Sequence, residues 1–152
     1  MHTLDATTTQ ALLIRLNRLR PDFGALWGKM NAHQMMCHLN DSYRAVMGGR
    51  IDNPAATFMN RTLVRWVALH TPLIWPKGVP TRPEVDQVNG GGTRPVEFES
   101  DRAQLAATIQ QFAAQPRTFV LGRHPILGEL NEWEWMRWGY LHADHHFRQF
   151  GI

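Results

Sequence analysis

The sequence predicts an all-α protein: a four-helix bundle with an extra short helix and one long connection rich in proline and glycine. Apolar residues recur at helical spacing in four separate segments, and capping patterns precede three of them. Strand signals are scarce, and only residues 117–121 resemble a β-strand. The 152 residues, of which 43% are hydrophobic and 19% charged, suit a single globular domain over 1–152.

The first two predicted helices lie before residue 48. Leucines at helical spacing predict a helix over residues 8–19, which ends ahead of Pro21 because the residue before a proline avoids the helical conformation. A second helix follows Asn31, with Gln34 three residues later in a capping-box pattern. It extends to about Met47, where two glycines follow.

A shorter third helix is predicted over residues 55–69. Its apolar content is Phe58, Leu63, Trp66 and Val67. From residue 71 to residue 99 the chain is rich in turn-forming residues, which indicates an extended surface connection. A long crossover of this kind is what some helical bundles require between two of their helices.

Two further helices complete the predicted bundle. Ser100 or Asp101 is predicted to cap the fourth, with Gln104 at the box position for Asp101. Its buried stripe is Leu105, Ile109 and Phe112, and it ends before Pro116. The fifth helix opens with an Asn-x-x-Glu capping box at residue 131 and runs to about residue 149.

Charge and composition exclude several classes of function. The formal charge is +3 and the sequence pI is near 9.6, but the basic residues are scattered singly among acids, so we expect no nucleic-acid binding. No apolar run is long enough for a membrane span, and no secretory signal is visible. One cysteine cannot form an intrachain disulfide, so a reducing cytoplasm is the expected location.

The second helix carries a histidine on its apolar face. Residues 35, 38, 39, 42 and 46 share that face by the i, i+3, i+4 rule, so His38 is predicted to point toward the core. His33 lies five residues earlier, about 140° around the helix. It groups with Cys37, Asn40 and Arg44 on what we expect to be the wetter side, so we interpret it as a surface histidine.

The last helix carries two more inward-facing histidines. His142 and His146 are spaced i and i+4, one turn apart, which lets two imidazoles converge on one metal ion. Trp135 and Trp138 precede them on the same face. His145 is displaced by about 60° from His142, so it can flank the site but is a poorer ligand.

Three buried imidazoles are costly without partners, and a shared cation would satisfy them together. Nitrogen ligands suit zinc, nickel, iron or copper, and we expect zinc or nickel. Three protein ligands leave one coordination position open for water or substrate, which suggests catalysis. The competing hypothesis is a histidine hydrogen-bond network with ordered water. Asp41 and Asp144 are expected to be solvated or to hydrogen-bond a ligand histidine.

Other candidates are interpreted as structural. Cys37 is adjacent to His38, but adjacent helix residues point about 100° apart, so a buried structural thiol is expected. The loop residue His124 is expected to serve a turn. The glycines at 90–92 lack the setting and the lysine of a phosphate-binding loop, so we interpret them as flexibility.

Two segments carry a family resemblance. Residues 31–42, NAHQMMCHLNDS, and residues 142–151, HADHHFRQFG, resemble the DinB/YfiT-like superfamily, in a branch known only as a domain of unknown function. The HPILG segment at 124–128, followed by Glu132-Trp133, fits the same branch. The resemblance spans nearly the whole chain, and its most specific parts are the His-Leu of the second helix and the His-x-x-His-His of the last.

The resemblance implies a bundle of up-down-down-up topology, often a homodimer, with one divalent metal held by three histidines. The ligand positions of the superfamily fall on His38, His142 and His146, while His145 matches an adjacent histidine that is not the usual ligand. Some members transfer low-molecular-weight thiols such as mycothiol, bacillithiol or glutathione onto electrophiles. Others are isomerases, and some have no known reaction.

These observations lead to three hypotheses. Two of them involve a bound metal, and in the third the bundle binds no metal and its histidines are paired and hydrated. The first is a metal-dependent enzyme of the thiol S-transferase or hydrolase type, acting on a small-molecule thiol or electrophile. The second is a non-catalytic, metal-stabilised dimeric binding or stress-response module. Thermal stabilisation by metal without turnover would favour the second. No catalytic base is identified from the sequence.

Overall fold

The computed structural model describes residues 1–48 and 57–152. Over those ranges the chain is all-helical, with five α-helices and no β-strand. The helices are α1 (Ala6–Leu16), α2 (Ala32–Met47), α3 (Arg65–His70), α4 (Phe98–Ala113) and α5 (Glu132–Gln149). A π-helical stretch, Asn60–Val64, leads into α3, and a 3-10 turn lies at Pro83–Val85. None of the described helices is long and apolar enough to cross a membrane.

The two helices that carry the candidate ligands begin where the capping patterns predicted. Asn31 accepts a hydrogen bond from the Gln34 amide while the Gln34 side chain accepts one from the Asn31 amide, which closes a capping box on α2. Asn131 and Glu134 do the same on α5. Because reciprocal caps satisfy otherwise orphaned amides, they fix the starting residue of each helix.

Two other helices start earlier than predicted. Asp5 and Thr8 form a capping box, so α1 begins at Ala6 and ends three residues before the predicted end. On α4 the predicted cap by Ser100 or Asp101 is wrong. Glu97 caps this helix, because its carboxylate accepts hydrogen bonds from the amides of residues 99 and 100. Asp101 therefore lies inside the first turn, with its side chain free to bind elsewhere.

Most of the apolar side chains of the predicted third helix are exposed to solvent. Its predicted first residues, 55 and 56, lie outside the described part of the chain, and the described helical stretch continues to His70. Leu69 is fully buried, but Phe58, Leu63 and Trp66 are 84%, 58% and 58% exposed. Residues 117–121, which resembled a strand, form none.

The four long helices share one hydrophobic core. α2 packs against α4 and α5, α1 packs against the same two helices, and α3 packs against α5. The largest fully buried side chains are Tyr43, Phe112, Phe147, Leu12, Leu16, Leu19, Met35, Met36, Leu39, Leu69, Leu105 and Ile109. The hydroxyl of Tyr43 donates a 2.6 Å hydrogen bond to the Gly139 carbonyl. This bond ties α2 to α5 close to the histidines.

Part of the segment between α3 and α4 is folded tightly against α2. The side chain of Gln87 is buried and donates to Asp41 at 2.6 Å, and Thr93 donates to the same carboxylate at 2.7 Å from its amide and 2.8 Å from its hydroxyl. The glycines at 90–92, which were interpreted from the sequence as flexible, form a packed turn in the structure. A Cβ on Gly91 would lie 1.5 Å from the Pro83 carbonyl oxygen, so no side chain fits. These contacts hold the 3-10 turn over α2.

Candidate metal centre

Three histidines from two helices meet in the interior of the protein. His38 lies on α2, and His142 and His146 lie one turn apart on α5. One ring nitrogen of each lies within 4.8 Å of those of the other two. The ring centroids are 5.3 Å apart for His38 and His142, 4.7 Å for His38 and His146, and 5.0 Å for His142 and His146. The structure brings together the three side chains that the sequence selected.

Apolar neighbours on both helices turn these histidines inward. Met35 and Leu39 are fully buried on the face of α2 that carries His38. Trp135 and Trp138 are buried on the face of α5 that leads to the other two histidines. Since burying these side chains stabilises the fold by about 1.5–3 kcal/mol each, the helices cannot rotate the histidines outward without exposing the core.

Hydrogen bonds orient two of the three imidazoles. Nδ1 of His38 donates to the backbone carbonyl of Val85 at 2.8 Å. Nδ1 of His146 donates to Oε1 of Gln149 at 2.8 Å, and Nε2 of Gln149 donates to the Trp27 carbonyl at 2.6 Å. Because Nδ1 carries the proton in both rings, Nε2 is the nitrogen left with a lone pair for a ligand.

The third imidazole has a buried atom without a partner. Nδ1 of His142 is buried and accepts or donates no hydrogen bond in the described part of the chain. A buried polar atom left unpaired costs about 1–3 kcal/mol, so a cation bound at this nitrogen would remove that penalty. Three imidazole nitrogens are also a donor set typical of zinc or nickel. The cluster therefore fits a divalent transition metal.

Burial favours the neutral form of all three rings. It lowers the pKa of His38, and it lowers the pKa of His142 and His146 well below the ordinary histidine range. Repulsion among the clustered rings adds to the effect for His142 and His146. A neutral imidazole is the form that binds a metal, so the site needs no proton release from these rings at neutral pH.

Aromatic side chains lie beside one side of the cluster. His142 is only partly buried, and the Trp75 ring lies 6.2 Å from it and 6.3 Å from His145. The Trp27 ring lies 5.8 Å from His145, and Nζ of Lys77 lies 4.5 Å from the Trp27 centroid. His145 itself is not among the three converging side chains, as its displacement on the helix predicted. This side of the cluster therefore combines flat apolar surface with one exposed cation.

Comparison with known families places the whole chain in one of them. The model of the family described as "Protein of unknown function (DUF1569)" matches residues 1–151. The chain belongs to this family. No curated protein and no solved structure matches it. Since DUF1569 is defined without a function, membership fixes no reaction, and the chemistry has to be argued from the site.

The two aspartates expected to be solvated or to support the ligands are partly exposed and make hydrogen bonds or ion pairs of their own in this DUF1569 chain. Asp41 is occupied by Thr93 and by the buried Gln87, and these hydrogen bonds hold the segment that follows the 3-10 turn. Asp144 pairs with Arg15 at 2.7 Å and with Arg148 at 2.9 Å. Both carboxylates bind groups of their own, so neither orients a histidine of the cluster.

Sequence reasoning missed the two groups that do orient the rings. Gln149 follows His146 by three residues on α5, so helical spacing was a usable signal for that contact. The acceptor for His38 is a backbone carbonyl, that of Val85, in a turn far away in the sequence. A main-chain oxygen leaves no signature in the residue type, so no pattern could have found it.

A second cluster lies on another side of α2. Nε2 of His33 lies 2.6 Å from Oδ2 of Asp101, and the thiol of Cys37 donates to the same oxygen at 3.8 Å. His33 is half-buried, which corrects its interpretation as a surface residue, because α4 covers the side of α2 that was expected to be wetter. Cys37 is buried as expected. Burial, then the nearby carboxylates of Asp101 and Asp41, raise the pKa of its thiol to about 12.

His124 serves a turn, as expected. Its Nδ1 accepts hydrogen bonds from the amides of Ile126 at 3.2 Å and Leu127 at 3.0 Å, and its backbone pairs with Gly128. Burial, followed by the charge of Arg82, lowers the pKa of this histidine to about 3. The ring is therefore neutral and acts as an acceptor, which excludes it as a surface cation.

Proposed function

We propose that the chain is a metal-dependent enzyme of the DinB/YfiT-like superfamily, in which His38, His142 and His146 hold one divalent transition metal, zinc or nickel. The observation that carries the proposal is the convergence of their ring nitrogens within 4.8 Å, two rings being oriented by acceptors at Nδ1 and the third having a buried Nδ1 without a partner. Histidines that only filled space in the apolar core would not need converging ring nitrogens or acceptors that orient the rings.

The proposal extends to the fold. In it, α1, α2, α4 and α5 form a four-helix bundle of up-down-down-up topology, α3 is the extra short helix, and the segment over residues 71–97 is the long crossover. The shared core of the four long helices supports this arrangement. So does the position of the candidate ligands, since bundles commonly build metal sites from side chains on facing helices.

The chemistry follows from an open coordination position. A metal bound by three imidazoles supplies Lewis acidity and a nucleophilic water or thiolate at neutral pH. Val85 and Gln149 hold the His38 and His146 rings in the required tautomer. The rings of Trp27 and Trp75 lie beside His145 and His142 and would contact a flat or apolar part of a small substrate.

Two reaction types are consistent with this site. In thiol transfer, the sulfur forms a bond to the electrophilic carbon, the leaving group departs with its bonding electrons, and the thiol proton goes to solvent. In hydrolysis, a water oxygen forms the new bond to the acyl carbon and the alcohol departs with a proton. We favour thiol transfer, because the superfamily that the chain resembles includes thiol transferases.

A specific observation favours the alternative, a non-catalytic module stabilised by metal and by dimerisation. Phe58, Leu63 and Trp66 are large, mostly exposed apolar side chains within one short helical stretch, and Leu73 and Ile74 nearby are 60% and 72% exposed. Clustered exposed apolar residues are typical of interaction sites. We propose a second copy of this chain as the occupant, in a cytoplasmic homodimer. Sedimentation equilibrium of Trp66→Ser beside the wild type tests it, and an unchanged monomer content would contradict it.

The enzyme hypothesis is tested by turnover of the zinc- or nickel-loaded protein. The substrates are a low-molecular-weight thiol with an electrophilic acceptor and, separately, an activated ester. His142→Ala should lose the metal of the three-histidine cluster and the turnover, whereas the matched variant His145→Ala, on the same helix, should keep both that metal and the fold. Metal binding that raises the melting temperature with no turnover of either substrate would exclude these reactions and favour the module.

A further inference from the structure

A second set of metal-ligating side chains lies on α2 outside the three-histidine cluster. One ligand atom each from His33, Cys37 and Asp101 lies within 4.8 Å of those of the other two. His33 and Cys37 are spaced i and i+4 on α2, so their side chains stack on one face. Asp101 comes from the first turn of α4, which packs against that face.

The surrounding residues hold this set in place. The Val96 amide donates to Oδ2 of Asp101 at 3.0 Å, and the Phe98 ring lies edge-on to His33 with centroids 5.3 Å apart. The side chains of His33 and Asp101 are 21% and 16% exposed. The cluster is therefore ordered by its neighbours and still open enough for an ion to enter from solvent.

We infer that His33, Cys37 and Asp101 form a second metal site, selective for zinc and other ions that accept mixed sulfur, nitrogen and oxygen ligands. A thiolate, an imidazole and a carboxylate are all ordinary zinc ligands, and the two anionic groups balance the charge of a divalent ion. On binding, the metal–sulfur bond forms as the S–H bond of Cys37 breaks and its proton passes to solvent. His33 binds through Nε2 as its other neutral tautomer, so the Nε2 proton that Asp101 accepts in the metal-free protein is lost to solvent and one is taken up at Nδ1. Three protein ligands leave a fourth position for water.

The geometry needs only a small adjustment. Ligand atoms around a tetrahedral zinc lie about 3.5 Å apart, given bonds of about 2.0–2.3 Å. The Cys37 sulfur is 3.8 Å from Oδ2 of Asp101, while Nε2 of His33 is 2.6 Å from the same oxygen. The His33–Asp101 hydrogen bond must therefore open by about 1 Å, and rotation of two partly exposed side chains allows that.

Cobalt(II) tests the inference, because a cobalt–thiolate bond gives an intense charge-transfer band in the near ultraviolet and an all-histidine site gives none. Titration of the metal-free wild type with cobalt should produce the band. His142→Ala should keep it, because that variant damages only the three-histidine cluster. Cys37→Ala should lose it while keeping the weaker visible bands of cobalt at the three histidines.

Two results would overturn the second site. One is the absence of a charge-transfer band in the wild type at saturating cobalt, a measurement that requires no variant to fold. The other is an unchanged band and affinity in Asp101→Asn, for which we expect at least a tenfold weaker affinity. Absence of the visible bands from Cys37→Ala, with the charge-transfer band present in the wild type, would instead contradict the three-histidine site alone, so the two proposals fail separately.

Discussion

Two sides of α2 present ligand-type side chains, and they differ in how those side chains are satisfied. Around His38, no hydrogen bond joins the three imidazoles in the described part of the structure, and two of them are held by outside acceptors. Around His33, the side chains satisfy one another, since Asp101 accepts from both the imidazole and the thiol. In the first cluster the Nδ1 atom of His142 has no partner in the described part of the chain, whereas binding at the second must displace existing hydrogen bonds and a proton. We therefore expect the first cluster to bind the same metal more tightly.

The largest expected effect, at the first cluster, comes from Gln149→Leu. The change removes the acceptor that orients His146, and loss of such a partner typically costs 10–100-fold in metal affinity. Competition with a chromogenic chelator measures the effect. Gln111→Leu, the same change at an exposed position on α4, is the control and should leave the affinity unchanged. An affinity equal to wild type in Gln149→Leu would show that this contact does not prepare the site.

A smaller effect, about tenfold in the affinity of the first cluster, is expected from Gly91→Ala. A Cβ at this position meets the Pro83 carbonyl, so the turn that carries the acceptor for His38 has to move. Gly24→Ala is the control, because nothing lies within 4 Å of a Cβ there. The two variants should differ in cobalt affinity, and equal affinities would show that the turn does not support His38.

His124 is also a buried histidine, but it accepts hydrogen bonds within a turn and does not belong to the three-histidine cluster. Its pKa of about 3 lies below the 6.5 of an unfolded histidine, so only the unfolded chain takes up this proton between those values. The stabilisation is complete above about pH 6.5 and is lost as the pH falls toward 3, by up to about 1.4 kcal/mol per pH unit. Urea unfolding of metal-free protein from pH 7 to pH 4 should show this loss in the wild type and a shallower slope in His124→Asn.

The control for that experiment is His124→Ala. Asparagine can still accept hydrogen bonds from the amides two and three residues on, whereas alanine cannot. His124→Ala should therefore be less stable than His124→Asn at every pH, by about 1–3 kcal/mol. Equal slopes in the wild type and His124→Asn would exclude this histidine as a source of the pH dependence.

The smallest expected effect concerns the second cluster without metal. Both side chains of the His33–Asp101 pair are partly exposed, so their coupling in the metal-free protein should be about 0.5–1 kcal/mol. A double-mutant cycle with His33→Ala and Asp101→Asn in urea measures it. A coupling well above that range would make this pair a structural element in its own right, and would weaken the case for an ion there.

Much of the helical frame could be predicted from sequence, because its signals are local. The Asn31 and Asn131 capping boxes fix the starts of α2 and α5 within one turn of chain. The predicted start of α4 was wrong because two acidic residues lie near it. Glu97, and not Asp101, accepts hydrogen bonds from the amides of the first turn. Which of two nearby acids caps a helix depends on the approach of the preceding chain, and that approach is set by tertiary packing.

The convergence of the histidines could be predicted because helical spacing and apolar neighbours fix direction. His142 and His146 share a face of α5 whatever else packs against it. The second cluster could not be found in the same way. His33 and Cys37 form a cluster only because α4 brings Asp101 next to them. That contact joins residues far apart in sequence, so helical spacing on α2 cannot predict it.

Metal content of purified protein tests the central claim most directly, with the second cluster removed by Cys37→Ala. After reconstitution with zinc or nickel and desalting, plasma mass spectrometry should find about one ion per chain in this variant. Adding His38→Ala should abolish that content while circular dichroism stays helical. No bound ion in Cys37→Ala, or an unchanged content once His38 is also replaced, would contradict a metal centre at His38, His142 and His146.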